Sequence, residues 1–430
     1  MKRYNIKDTL AVTMVLLLAL FTGLFFQACN DDDDSGGGKP VVSYIRITNP
    51  ASADSLLDAS FLGNTILIMG ENLQDVREIY FNDQAALVNT SFVSSTSIIV
   101  TVPTAAPVVV TNTMKLITTG HDTLVHPFVI NVPAPLINTV MCEFLRPGDN
   151  AVIVGNYFIQ NPVNPLRVFF PPAEGNEPLE GIITSSTTTR IEVTVPDGVG
   201  SGNILVRSNF GTTASAAYIN DFRNDGVNTV QILNYDNLTN NGVWRPGIQR
   251  TDENSIDGNY MMLMGVYAAS PSGTQETEDY SGGGFVSEFW ADADGRPEGN
   301  FLPATANIAD WDLKFEANVV EWTGAYLEVC WGPWNTSTGG YTNTLYWGDV
   351  NARGLWRPWE GTESHSYDTD GNWITVTIPM SQMRYNRQFG DMSFDSNIFG
   401  SLTFWVAGPS NPNESRVEMY IDNVRLAKRN

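Results

Sequence analysis

Two stretches of about ninety residues each spell out the same order of strands and turns. The first reads VVSYIRITNP, then NTILIMGENL, REIYFND, TSIIVTVP and VHPFVINV. The second reads APLINTV, then NAVIVGNYF, LRVFFPP, TRIEVTVP and GNILVRSNFG. Both carry a strand that ends on glycine and asparagine (Gly70-Glu71-Asn72 and Gly155-Asn156), then a strand bearing paired aromatics (Tyr80-Phe81 and Phe169-Phe170), then Val-Thr-Val-Pro closing at Pro103 and Pro196. Glycine permits a turn at positive φ, and proline ends a strand because it has no N–H for the ladder. Short runs of Val, Ile, Thr and Phe between Gly, Asn, Asp and Pro turns predict sandwiches or barrels, and no amphipathic helix interrupts them. Chain length, 430 residues, fits two to four such domains.

The repeated frame resembles the IPT/TIG immunoglobulin-like domain, over residues 41–132 and again over 134–221. The resemblance implies tandem β-sandwiches that space and orient something else. Neither repeat holds a tryptophan. His121 and His126 lie five apart in a strand-rich segment, so they point to opposite faces and are expected at the surface.

The N-terminus reads as an address. Lys2, Arg3 and Lys7 precede an apolar run from Leu10 to Phe26, the pattern of a secretion signal over residues 1–28. Ala28-Cys29 resembles the lipobox of bacterial lipoproteins, which implies that Cys29 is the lipidated first residue of the mature chain. Residues 29–40, with Asp31 to Asp34 followed by Gly36 to Gly38, form a solvated tether. The acidic run also resembles the export signal of surface lipoproteins in Bacteroidota. It implies lipid anchoring in the outer membrane, facing the cell surface.

After residues 224–226 the composition changes. All eleven tryptophans fall between Trp244 and Trp405. Alternation continues through Trp311 to Glu316, Trp373 to Pro379 and Glu418 to Leu426, so residues 226–430 are expected to form one further β-sandwich, a jelly roll. Its first strand (Gln231 to Asp236) and last strand (Tyr420 to Leu426) resemble those of jelly-roll carbohydrate-binding modules. Taken with the lipoprotein start and the tandem repeats, the chain resembles a surface glycan-binding lipoprotein of a Bacteroidota polysaccharide-utilisation system, with a C-terminal domain of the xyloglucan-binding type. That implies an all-β chain which captures a neutral β-linked plant polysaccharide (xyloglucan, β-glucan or mannan) for degradation and import. It also implies an outer-membrane transporter and a companion glycan-binding lipoprotein as partners.

The chemistry of the residues agrees. An indole offers a broad, rigid, electron-rich face to the C–H groups of a sugar ring. Trp331, Trp334, Trp347, Trp356 and Trp359 crowd 29 residues rich in Gly and Pro, and an exposed aromatic platform is expected there. Trp311 alternates with Leu313 and Phe315 and belongs to a core. Trp405 shares its face with Thr403 and is a candidate for outward presentation. Trp373 divides evenly between the two roles, and Trp244, Trp290 and Trp322 stay undecided.

A formal charge of −23 argues against nucleic acid, anionic lipid and anionic polysaccharide as ligands. Three cysteines, Cys29, Cys142 and Cys330, make neither a disulfide framework nor a zinc site, and Cys142 and Cys330 are expected in cores. Glycoside hydrolysis needs two facing carboxylates. Glu288, Glu321, Glu328, Glu360 and Glu363 lie near the aromatics, but no catalytic motif accompanies them, so no enzyme is expected. An adhesin that binds another protein is the alternative, with a hydrolase further behind. No cofactor or catalytic metal is expected. Jelly-roll modules commonly carry a structural calcium ion, and Asp236 and Asp422 are placed to contribute to one, although ordinary surface carboxylates are favoured.

Overall fold

The computed structural model describes residues 38–429, apart from 53, 222–226, 237–246, 268–277, 280–285, 290–298, 334–351, 387–389, 396–397 and 408–414. Regular structure within them is strand, with short 3₁₀ turns between. The chain divides into two compact units, Met1–Pro133 and Ala134–Asn430.

In the first unit the strands Val41–Ile47, Thr65–Glu71 and Ser97–Thr101 make one sheet. Val76–Phe81, Gln84–Ala86, Thr113–Thr118 and Thr123–Pro127 make the other. Alternation explains the packing. Ile98 and Val100 are buried against Ile66, Ile68, Ile79 and Leu116, while Ile99 between them faces out.

The second unit opens with a sandwich of the same plan. Its sheets are Leu136–Val140, Asn150–Asn156, Arg190–Thr194 and Ile182–Ser186, against Leu179–Glu180, Arg167–Phe170, Gly202–Ser208 and Gly211–Ile219. Ile191 and Val193 take the places of Ile98 and Val100, buried on Ile153, Val168 and Val206.

The two signature glycines work differently from the expectation. Neither Gly70 nor Gly155 has positive φ; that conformation falls on Asn72 (φ 57°) and Tyr157 (φ 60°). What glycine provides is close approach. A Cβ on Gly70 would sit 1.8 Å from the Val41 carbonyl oxygen, and one on Gly155 would sit 1.9 Å from that of Leu136. Both lie opposite register shifts, between Val42 and Tyr44 and between Ile137 and Thr139. Each repeat therefore presses one backbone onto another at a β-bulge.

The rest of the second unit is a larger two-sheet sandwich. The long strand Trp311–Thr323 lies between Ser415–Lys428 and Ile374–Pro379. The three segments picked out by alternation are thus neighbours in one sheet, which Tyr260–Tyr267 and Thr229–Leu233 extend. The facing sheet runs Val286–Phe289, Ser401–Ala407, Tyr326–Gly332 and Gly354–Trp356. Between the sheets lie Leu313, Phe315, Leu327, Val329, Phe404 and Ile421.

Candidate functional site

The tryptophans separate by strand phase. Trp331 follows Leu327 and Val329 along its strand and points with them into the core. It has no exposed surface and packs on Phe394 and Phe399, with ring centroids 4.7 and 5.8 Å away. A ring enclosed on both faces has none to offer a sugar, so Trp331 leaves the expected platform. Trp334 and Trp347, like Trp244 and Trp290, lie outside the described residues, as does Cys29. Trp311 is core, as its alternation requires. Trp405 is only 7% exposed, not presented outward. Its strand is paired on both sides, and its neighbours Thr403 and Glu328 are buried as well.

Trp356 and Trp359 are half-buried. Trp356 ends its strand with its ring edge-on to Phe315, Trp322 and Tyr367, at 6.3, 5.5 and 6.2 Å. Three residues later Trp359 sits on a turn closed by Glu360 N–H to the Arg357 carbonyl and Thr362 N–H to its own carbonyl. Its ring lies 5.2 Å from that of His365, and its Nε1–H donates to the Ala325 carbonyl at 2.5 Å. Trp356, Trp359, His365 and Tyr367 together form an aromatic ledge at the edge of the sandwich, held from beneath by the buried indole of Trp322. Arg357 lies beside it, 3.3 Å from Glu360. His365 and Tyr367 were not legible as members of this ledge. The alternating pattern stops at Trp356, and only the turn brings 365–367 back to pair with Trp322 and Thr323.

On the strand paired with Gly354–Trp356, Glu328 is committed to Arg353, Oε2 to Nη1 at 2.8 Å, with both side chains 1% exposed. Glu360 is engaged with Arg357. The Glu328 pair is closed to solvent and structural, whereas Glu360, in an exposed pair, stays accessible.

A second polar cluster joins the larger sandwich to the sandwich before it. Glu143 follows the Leu136–Val140 strand. Its carboxylate meets Lys314 Nζ at 2.6 Å and Arg425 Nη2 at 3.0 Å. Arg425 also clasps Glu316 through both terminal nitrogens, at 2.7 and 3.0 Å. Thr375 completes the junction: its N–H donates to the Met141 carbonyl, its hydroxyl donates to Glu316, and the same hydroxyl oxygen accepts the Glu143 N–H. Burial alone would drive the Arg425 pKa down, but the Glu316 and Glu143 carboxylates more than reverse that and hold it above its ordinary value.

Asp236 and Asp422 have separate duties. Asp236 accepts the Asn259 N–H at 2.7 Å and is bonded by Asn234. Asp422 is fully buried and accepts the Asn423 N–H at 2.7 Å. Burial pushes its pKa up to about 9, with the Asn423 bond opposing and the Glu316, Asp236 and Asp257 carboxylates adding to the rise. Among the described residues no group of three His, Cys, Asp or Glu is arranged to hold a metal ion. Cys330 is buried as expected, whereas Cys142 is half-buried; its thiol lies 3.2 Å from the Phe144 carbonyl.

Residues 225–428 match the family described as the surface glycan-binding protein B xyloglucan binding domain, and residues 56–125 match the IPT/TIG domain. An IPT/TIG domain-containing protein of Bacteroides ovatus is 32% identical over 182 residues, which are 41% of this chain and 36% of that protein. The chain thus spans little more than a third of that relative's length. Among solved structures, the surface glycan-binding protein PbSGBP-B from Prevotella bryantii superposes with a TM-score of 0.68 at 26% identity, covering 91% of this chain and 99% of its own.

Proposed function

We propose that this chain, whose residues 225–428 match the surface glycan-binding protein B xyloglucan binding domain, holds a neutral β-linked plant polysaccharide at the cell surface without cleaving it. The observation that carries this is the family match of the domain that contains every tryptophan. The aromatic ledge supports it physically. Trp359 is pinned by its own N–H and by His365, so it presents a partly open ring at little entropic cost. Trp356 lies behind it, and Arg357 and Glu360 supply hydrogen-bonding groups around it. Trp334 and Trp347 are proposed to complete the platform.

The acidic surface favours an uncharged ligand. The proposed setting is the outer face of the outer membrane, with Cys29 lipidated. The immunoglobulin-like repeats serve as a spacer, and an outer-membrane transporter and a companion binding lipoprotein receive the captured glycan.

Affinity electrophoresis of the full chain through gels containing xyloglucan, mixed-linkage β-glucan or mannan tests the proposal. Retardation by one of these polymers, weakened about tenfold in a folded Trp359→Ala variant, is the expected result. Unretarded migration in all three gels overturns it.

A further inference from the structure

A groove of about 600 Å³ runs between the second immunoglobulin-like sandwich and the larger sandwich, inside the unit Ala134–Asn430. That is within the usual size of small-molecule sites. Trp373, just ahead of the Ile374–Pro379 strand, lines it. The indole is held by residues that do not line the groove. Its Nε1–H donates to the Asn254 carbonyl at 2.9 Å, its edge meets Tyr260 at 6.1 Å, and it lies tilted on Tyr420 at 6.4 Å. The ring is therefore fixed in orientation by contacts that do not involve the groove.

From the second sandwich the groove is lined by two ion pairs, Arg146 with Asp149 at 3.5 Å and Arg190 with Glu192 at 3.1 Å. Each sets guanidinium donors beside carboxylate acceptors, and each sums to zero charge. The loop before Trp373 adds Asp370 and Asn372, both exposed. Asp370 N–H is tied to the Asp368 carboxylate at 3.0 Å, and Asp370 and Gly371 both take positive φ. A rigid aromatic ring in one groove with paired donors and acceptors matches a ligand with apolar C–H faces and vicinal hydroxyls. The surplus carboxylates of Asp368 and Asp370 disfavour an anion.

We infer that this groove is a second carbohydrate subsite, adjoining the ledge at Tyr367, which takes a neutral oligosaccharide segment beside Trp373 and the Arg146 and Arg190 pairs. The inference rests on the reading of the chain as a glycan binder. It extends that reading to a site to which the spacer sandwich itself contributes. Tyr367 lines the groove and also stands edge-on to Trp356 in the ledge, so one polymer can engage both places. Joining two modest sites on one chain raises overall affinity without any new contact.

The test uses the full chain in gels containing xyloglucan, mixed-linkage β-glucan or mannan. Wild type is compared with Arg146→Ala/Arg190→Ala and with Asp370→Ala/Asn372→Ala. Arg146 and Arg190 are exposed, so the first variant is expected to melt with wild type. Asp370 holds positive φ and the Asn372 amide donates to the Thr369 and Asp370 carbonyls, so the second is expected to melt lower, and its retardation is read well below its Tm. The expected result is retardation about tenfold weaker in each, the loss that follows when hydrogen bonds to charged groups are removed. Wild-type retardation matched by both groove variants overturns the subsite and leaves the ledge standing. Absence of wild-type retardation in all three gels removes both.

Discussion

Trp322 and Trp359 share one acceptor. The carbonyl oxygen of Ala325 receives the buried Nε1–H of Trp322 at 2.7 Å and the Nε1–H of half-buried Trp359 at 2.5 Å. One indole belongs to the core and the other to the surface, and a single peptide group sets the position of both. Core packing is in this way transmitted to the ring proposed to meet the sugar.

Trp359→Ala is therefore expected to weaken glycan retardation about tenfold, near 1.4 kcal/mol, with a modest fall in Tm. Trp331→Ala is expected to behave in the opposite sense. It opens a cavity in the core and costs about 3–5 kcal/mol of stability. Denaturant unfolding beside affinity electrophoresis separates the two. A Trp331→Ala protein of wild-type stability that has lost binding would return Trp331 to the platform. Since the proposed ligand is uncharged, raising the salt concentration is expected to leave wild-type retardation unchanged.

The junction between the two sandwiches of the second unit supplies a second expectation. Removing Glu143 leaves Lys314 and Arg425 facing each other without the carboxylate that bridges them. Deleting one partner of a buried ion pair typically costs about 3–5 kcal/mol. Glu143→Ala should therefore lower the Tm of the unit Ala134–Asn430 within the full chain, whereas half-buried Glu192→Ala should not. Calorimetry that finds no transition shifted in Glu143→Ala contradicts this. The same contacts argue for testing the larger sandwich in a protein that begins at Ala134 rather than at 226.

The bulge glycines make a third. Gly155→Ala sets a Cβ against the Leu136 carbonyl oxygen, which is backbone and can yield only by opening the bulge. A cost of about 1–3 kcal/mol is expected, although φ there suits alanine. Gly148→Ala makes the contrast: it has open space around its Cβ, and its cost arises from φ of 87° alone. Equal stability of Gly155→Ala and wild type in urea would show that the close approach is not required.

Asp422 predicts a pH dependence. Its folded pKa, about 9, lies above the value near 4 of an unfolded aspartate. The folded state thus holds the proton more tightly, and the group's contribution to stability is full below about pH 4 and declines as the pH rises toward 9. Asp422→Asn cannot ionise and should remove that slope, leaving the variant more stable than wild type at pH 8 and nearly equal at pH 4. Parallel stability curves for the two proteins would show that Asp422 is ionised in the fold.

The sequence by itself determined the fold class. Strand alternation, turn chemistry and the repeated frame are local properties, and residues such as Ile98, Val100, Ile191, Val193 and Trp311 occupy the sides that their phase demands. It also placed the tryptophans in a single domain. Which indoles face solvent was decided by tertiary structure, because a strand buried on both faces gives no periodic sign of which side is wet. Trp331 and Trp405 lie on opposite sides of one sheet, and both are buried. The Glu143 junction was equally out of reach: Arg425 in an apolar strand signals that a partner exists, but that partner lies 282 residues away. Local spacing reports the period of a strand, whereas the exposure of a ring and the pairing of a buried charge depend on what the fold lays against them.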